Sequence, residues 1–392
     1  MEKTNSLKYN IGMKKYKVSF VTGSRADYGI VRNYISKLNN DPDIDFSILT
    51  TGALFSDKFG KAIDLIEKDG FKIDFKNIIN LKMSQISDTV KVMSEILNDF
   101  NNFFNYNVYD LLIILGDRYE IFSVAIAAAM HRIPILHLHG GEITLANYDE
   151  FIRHSITKMA QFHITSTEEY RKRVIQLGEI PENVYNLGAL GAENCHHIDM
   201  KNVSDELKEI TDVFTVLFHP ETLNTQSPVE QINELLKAIT IFLKDYRFIF
   251  IGSNADTLSD QISTRIIDFC ALNQSCIYFN NLHPDSYHWL IKNSIALIGN
   301  SSSGIIEAPS LGTFTINVGD RQTGRSKGKS VLDVKCSHKE IGEAISFTIS
   351  NRESRIVDDV YFRPHAAELY YRTTKEILNK VHQYGFKAFY DI

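Results

Sequence analysis

This chain is short of cysteine, of long apolar runs and of net positive charge, and each shortage removes a class of function. Its 392 residues hold four cysteines, Cys195, Cys270, Cys276 and Cys336, with neither a C-x-x-C pair nor a disulfide framework. That usage fits a reducing, cytoplasmic setting. A formal net charge of −6 argues against nucleic acid or an anionic membrane as the main partner. An anionic substrate would then need local cations, so single arginines become worth following. No apolar run reaches spanning length, and the polar opening, residues 1–16, lacks the apolar core of a signal peptide. Met13-Lys14-Lys15 reads as an alternative start that would leave residues 1–12 as a disordered extension. No G-x-G-x-x-G follows the first apolar strand and no G-x-x-x-x-G-K-[ST] occurs, so neither a dinucleotide fingerprint nor a Walker P-loop is indicated.

What the chain does have is alternation. Apolar runs at 17–22, 46–50, 111–115, 133–138 and 162–165 are continuous, as in strands covered by helices on both faces. Between them, Ile30, Val31, Tyr34, Ile35 and Leu38 keep helical spacing, and 121–130 is apolar enough for a buried helix. A polar interval near 196–209 separates a second series of strands at 214–218, 248–251, 276–279, 295–298 and 313–316. The pattern predicts an α/β protein of two Rossmann-like, doubly wound domains facing a cleft. The expected division is 13–200 for an N-terminal domain carrying carboxylates and 211–365 for a C-terminal nucleotide-binding domain. A helical segment at 366–392 is expected to pack back on the N-terminal domain. In open α/β sheets ligands sit beyond the carboxyl ends of strands, which makes the inter-domain cleft the default site.

The run Gly299-Asn300-Ser301-Ser302-Ser303-Gly304-Ile305-Ile306-Glu307 lies between a strand and a helix expected to start at 305. A small-residue turn there aims amides and three hydroxyls, those of Ser301, Ser302 and Ser303, at one concavity, where the helix dipole also favours an anion such as a diphosphate. Glu307, on the first helical turn, can accept from a ribose diol. An ordinary serine cap is the plainer alternative.

Polar groups recur at the other strand ends. Arg25, in Gly23-Ser24-Arg25-Ala26-Asp27, reads either as a cation reaching across the cleft to phosphates or as a solvated loop arginine. Asp117, in Gly116-Asp117-Arg118, either caps the following helix or joins Glu142 and Asp149 near a sugar ring. Crowded carboxylates push each other's pKa apart, so that one can act as base while another holds a proton. His137 and His139, on one face of a strand, raise a metal reading, but without a third ligand the spacing is a weak signal and no metal is assigned. His219 can donate to a phosphate or act as an acid, Asn254 can hold a nucleotide hydroxyl, and Arg321 and Arg325 add cations.

Taken together, Gly23–Gly29, Gly116-Asp117-Arg118, Gly140-Gly141-Glu142, Asp149-Glu150 with Arg153-His154, His219-Pro220, 299–307 and Gly319-Asp320-Arg321-Gln322 resemble the hydrolysing UDP-N-acetylglucosamine 2-epimerases of bacterial sialic acid biosynthesis. The resemblance runs from about Met13 to the end. It implies a glycosyltransferase-B-like fold and conversion of UDP-GlcNAc and water to N-acetylmannosamine and UDP without a cofactor. It also implies a homodimer or homotetramer. By that similarity Arg25, Arg118, His219, Asn254, Ser301, Ser302, Glu307 and Arg321 contact the nucleotide, and Asp117 and Asp149 match catalytic carboxylates. Many relatives carry Glu where this chain has His139. Either His139 takes over that proton transfer or Glu142 does; Glu142 is the added catalytic candidate, with His139 as its hydrogen-bonding partner. Rival readings are the same reaction on UDP-2,4-diacetamido-2,4,6-trideoxyglucose, a glycosyltransferase, and a non-catalytic UDP-sugar sensor.

Overall fold

The computed structural model describes residues 15–56, 61–79, 86–144, 148–221, 226–252, 259–353, 359–383 and 387–392. Within them two parallel sheets form. The first contains β1 (Tyr16–Thr22), β2 (Ile44–Thr50), β3 (Ile73–Lys76), β4 (Leu111–Leu115), β5 (Ile135–Leu138), β6 (Phe162–Thr165) and β7 (Val184–Asn186), in the order 3-2-1-4-5-6-7. The second contains β8 (Val213–Leu217), β9 (Arg247–Ile251), β10 (Cys276–Phe279), β11 (Ala296–Gly299), β12 (Phe314–Val318) and β13 (Val331–Val334), in the order 10-9-8-11-12-13. Each order reverses once, at β1/β4 and at β8/β11. A reversal point opens a crevice at the strand carboxyl ends, because the flanking connections leave toward opposite faces.

Strand pleating explains how the continuous apolar runs are used. Leu111, Ile113 and Leu115 enter one core with Val18, Phe20 and the helix Arg25–Asn39, whereas Leu112 and Ile114 enter another with Val21 and the helix Tyr119–Met130. The second sheet sorts likewise, Phe214 and Val216 to one side and Val213 and Leu217 to the other. Two covered faces require apolar residues at every position. The short strands β3, β7 and β13 are additions to the sequence reading. All three are sheet edges, only partly covered, so they carry no continuous apolar run.

The helix Ala366–Lys380 lies against the helix Arg25–Asn39 of the first half. Tyr34 packs edge-on to Tyr370 with ring centroids 5.6 Å apart, and the Tyr34 and Thr374 hydroxyls share a 2.6 Å hydrogen bond. Lys375 bridges Asp41 and Asp43, both at 2.8 Å. Residues 1–14, including the alternative start at Met13, lie outside the described residues.

Gly299 closes β11 with φ of +144°, and a Cβ there would stand 1.9 Å from the Leu217 carbonyl oxygen of β8. The reversal point therefore needs glycine. Gly299→Ala is expected to destabilise the protein by about 2–4 kcal/mol, read as a shift of the urea-unfolding midpoint.

Candidate active site at the sheet reversal points

A cavity of about 580 Å³ occupies the space between the two sheets. Its wall comes from residues just past strand carboxyl ends: Ser24 and Arg25 after β1, Arg118 after β4, His219 after β8, and the turn containing Ser301, Ser302 and Ser303 after β11. Arg25 spans the gap, its Nη2 donating to the Leu282 carbonyl in the C-terminal half. It thus bridges the cleft and shares the cavity with the serine turn.

The helix after β11 runs Ser303–Ser310, two residues earlier than expected, which puts Glu307 on its second turn. Ser302 holds the N-cap position, yet its side chain makes no capping bond. The Ser303 hydroxyl donates to Ser301 Oγ at 3.0 Å and shares a 2.6 Å bond with the Tyr287 hydroxyl. The amides of Gly304, Ile305 and Ile306 are engaged by the carbonyls of Ser301 and Ser302. The turn ahead of them is consequently the part that can meet an anion. Glu307 lines the same cavity and lies 3.4 Å from His288 Nε2.

Asn300, fully buried, ties this turn to two others. Its side-chain oxygen accepts from the His219 amide at 2.7 Å, and its Nδ2 donates to the His219 carbonyl at 2.9 Å. Its own carbonyl accepts from Arg321 Nη1 at 3.0 Å and Gln322 Nε2 at 2.7 Å. Glu221 completes the bracket by accepting from the amides of Asp320 and Arg321 at 2.8 and 3.0 Å. A Cβ at Gly319, where φ is +82°, would fall 2.3 Å from that carboxylate.

A second cavity, about 90 Å³, adjoins the first, with Ser302 in both walls. Asp117, Thr144, Asp149 and Arg153 line it from the N-terminal half, and Arg321, Gln322 and Arg325 from the other. Arg153 is buried and fully directed: Nη1 donates to the Glu142 carbonyl at 2.9 Å and Glu150 Oε2 at 3.2 Å, and Nη2 to Thr144 Oγ1 at 3.0 Å and to Asp117. Burial alone would raise the Asp117 carboxyl, but Arg153, Arg325 and Arg321 outweigh it and hold it below the usual carboxylate range. At Asp117 arginines are the main cause of the lowering. Asp117 does not cap the next helix; Arg118 occupies that N-cap position.

The family model described as UDP-N-acetylglucosamine 2-epimerase matches residues 36–374. The chain belongs to the UDP-N-acetylglucosamine 2-epimerase family. Among curated relatives, "Polysialic acid biosynthesis protein P7" of Escherichia coli is 48% identical, over 96% of this chain and 97% of its own. The hydrolysing GDP/UDP-N,N'-diacetylbacillosamine 2-epimerase of Campylobacter jejuni is 38% identical over 82% and 85%. Among solved structures, UDP-GlcNAc 2-epimerase from Neisseria meningitidis, bound to UDP-GlcNAc, superposes with a TM-score of 0.76 at 17% identity, over 92% and 100% of the two chains. A Listeria monocytogenes protein reaches 0.79 at 16%, over 97% and 100%. At these identities the structures speak to the fold, two Rossmann-like domains in the glycosyltransferase-B-like arrangement.

Within this family member the structure brings Asp117 and Asp149 to one small cavity, and Arg25, Arg118, His219, the serine turn and Glu307 to the larger one. Arg321 lies in the small cavity, beside the carboxylates. Asn254 falls outside the described residues. Glu142 and His139 line neither cavity. Glu142 Oε2 is ion-paired to Arg325 Nη2 at 2.6 Å and its Oε1 accepts from Ser166 at 3.2 Å. His139 Nε2 is buried and bonds to no described group, so the expected Glu142–His139 bond is absent among the described residues. The expected shared face for the two histidines also fails: β5 ends at Leu138, and His139 turns away with φ of +62°.

His137 is structural. Its Nε2–H donates to the Gly116 carbonyl at 2.9 Å and its Nδ1 accepts from the Thr157 hydroxyl at 3.1 Å. Those bonds anchor the turn that presents Asp117. Asn300, Glu221 and Arg153 were not singled out from the sequence as site residues. The G-N-S-S-S context was the one available signal for Asn300, since a serine turn at a helix start invites a clamp. Arg153 belongs to a segment that carries the family resemblance, but helical spacing does not separate a buried arginine from a solvated one.

Burial lowers His137 to about 3. The folded value lies below the unfolded one of roughly 6.5, so on acidification the unfolded chain takes up this proton first. The stability involved is present above pH ~6.5 and is lost as pH falls toward 3. Going from pH 7 to 5 is expected to remove about 2 kcal/mol through this group. Urea unfolding at both pH values should show that much less pH dependence in His137→Gln than in wild type.

Proposed function

We propose that this protein is a hydrolysing UDP-N-acetylglucosamine 2-epimerase that converts UDP-GlcNAc and water to N-acetylmannosamine and UDP for sialic acid synthesis in the cytoplasm. The observation that carries the reading is Ser302, common to a nucleotide-sized cavity and to a smaller one walled by Asp117 and Asp149. A diphosphate at the serine turn would leave the attached hexose beside those carboxylates. The curated relatives support the hydrolysing outcome, through a polysialic acid biosynthesis protein and a hydrolysing 2-epimerase.

The C2 proton of a hexose is weakly acidic, so its removal needs a positioned base and a good leaving group at C1. Asp117 is a carboxylate whose arginines keep it ionised and also weaken it as a base, and Asp149 stands in the same cavity, so the two share the proton transfers. The leaving diphosphate is stabilised by the serine-turn amides with Arg25 and Arg321. The C1–O bond breaks as the C2–H bond does, and the electron pair forms the double bond of 2-acetamidoglucal. Water then adds at C1 and a proton returns to C2 from the opposite face, giving the manno configuration. His219, its backbone clamped by Asn300, faces the nucleotide cavity as a phosphate donor or acid.

A second reading keeps this chemistry and changes the sugar to a diacetamido-trideoxyhexose. It is favoured by the Campylobacter relative and by a UDP-N,N'-diacetylbacillosamine 2-epimerase (hydrolyzing) of Legionella pneumophila, 30% identical over 94% of this chain and 99% of its own. Parallel assays on both nucleotide sugars separate the two.

Product NMR in deuterium oxide tests the mechanism: N-acetylmannosamine should appear with deuterium at C2, and product carrying the original hydrogen would overturn it. Asp117→Asn and Asp149→Asn are each expected to lower kcat by about 10²–10⁴-fold. Calorimetric titration should find UDP affinity in both variants within about threefold of wild type, because neither group faces the larger cavity.

A further inference from the structure

The small cavity holds polar groups that the elimination does not use. Gln322 is 1% exposed, and its Nε2 donates to the Asn300 carbonyl at 2.7 Å, which fixes the orientation of the amide. Its Oε1 is buried and accepts from no described group. Arg325, with a side chain 9% exposed, gives Nη2 to Glu142 at 2.6 Å. Its Nε and Nη1 are buried and donate to no described group. Both residues line the cavity next to Asp117 and Asp149. Among the described residues, Gln322 and Arg325 thus bring one unmatched acceptor and two unmatched donors, and Arg321 Nε a further donor, to the place where C2 chemistry is assigned. Buried unmatched groups of this kind are costly, and they select a ligand that satisfies them.

We propose that Gln322 and Arg325 are specificity-determining residues that together recognise the acylamino group on C2 of the sugar, with Glu142 as the positioning residue that holds Arg325. An acylamino group carries its donor and acceptor on separate atoms: the N–H meets Gln322 Oε1 and the carbonyl oxygen meets the Arg325 guanidinium. A cavity of about 90 Å³, joined to the larger one at Ser302, takes the C2 side of the hexose together with this substituent. Gripping it would set C2 and its hydrogen against the carboxylates. Glu142 is thereby moved from acid–base duty to support: both its oxygens are engaged, and it lies outside the cavity wall. This assignment rests on the proposed function, since it takes the hexose to lie in the small cavity.

Calorimetric titration of the Asp149→Asn protein, whose turnover is expected to be slowed about 10²–10⁴-fold, with UDP, UDP-GlcNAc and UDP-glucose tests it, with product NMR to check that the ligand survives the titration. UDP-glucose has a hydroxyl where UDP-GlcNAc has the acetamido group. UDP-GlcNAc is expected to bind at least ~10-fold more tightly than UDP-glucose. Adding Gln322→Met, or Arg325→Lys, which keeps a charge for Glu142 but loses the unmatched donors, should bring the two within about threefold, and Arg325→Lys should leave UDP affinity unchanged. Glu142→Gln should move the ratio in the same direction. A ratio preserved in Gln322→Met and Arg325→Lys, or loss of UDP binding in Arg325→Lys, overturns the assignment, and a ratio preserved in Glu142→Gln overturns the positioning role. The proposed function fails separately, through a wild-type protein that makes no N-acetylmannosamine, because the ratio is read from binding alone.

Discussion

A guanidinium taken out of water is tolerated only where its N–H groups find acceptors and its charge finds a counter-charge, and the site of this protein is built around one that meets both conditions. Arg153 reaches Asp117 from one side and Glu150 from the other, and it also draws in the Glu142 carbonyl and the Thr144 hydroxyl. Three pieces of the N-terminal half, the Asp117 turn, the loop 142–144 and the start of the helix Asp149–Met159, are thereby held at fixed positions. Asp117 acquires its place from this contact and its lowered pKa from Arg153 together with Arg325 and Arg321, and the start of the helix Asp149–Met159 acquires its orientation. Its net worth to stability is a separate matter, because the desolvation of both ions opposes their attraction. What the contact supplies is geometry.

The C-terminal half solves the matching problem with a neutral residue. Asn300 joins the serine turn, the His219 strand end and the Arg321–Gln322 turn through four hydrogen bonds. An amide can do this because it donates and accepts at once, and a buried amide so satisfied adds rigidity without charge. The two brackets face each other where both sheets reverse their strand order, so the nucleotide-facing turn and the carboxylates become neighbours although they are far apart in the chain. Arg325, reaching Glu142, and Arg25, reaching Leu282, stitch the halves in opposite directions.

Much of this was legible in the amino-acid order, and the exceptions have physical causes. The central strands declare themselves because both faces are covered; β3, β7 and β13 do not, since an edge needs fewer apolar residues. Polar residues at strand ends mark Asp117, Asp149 and the serine turn. Their environment is beyond a linear reading, because Asp117 owes its charge state to arginines 36, 204 and 208 positions away. For the same reason Glu142 reads in the sequence as a catalytic candidate, and its ion pair with Arg325 is not visible there. His139 leaves its strand at a left-handed backbone position, which residue alternation cannot foresee.

The central claim is spatial: nucleotide and sugar occupy the two cavities that meet at Ser302. A crystal structure of the protein with UDP-GlcNAc trapped in an inactive variant tests it most directly. The diphosphate should rest on the amides of the serine turn, with C2 of the hexose within about 3–4 Å of both Asp117 and Asp149. A hexose directed to solvent, or a diphosphate bound away from that turn, would contradict the account.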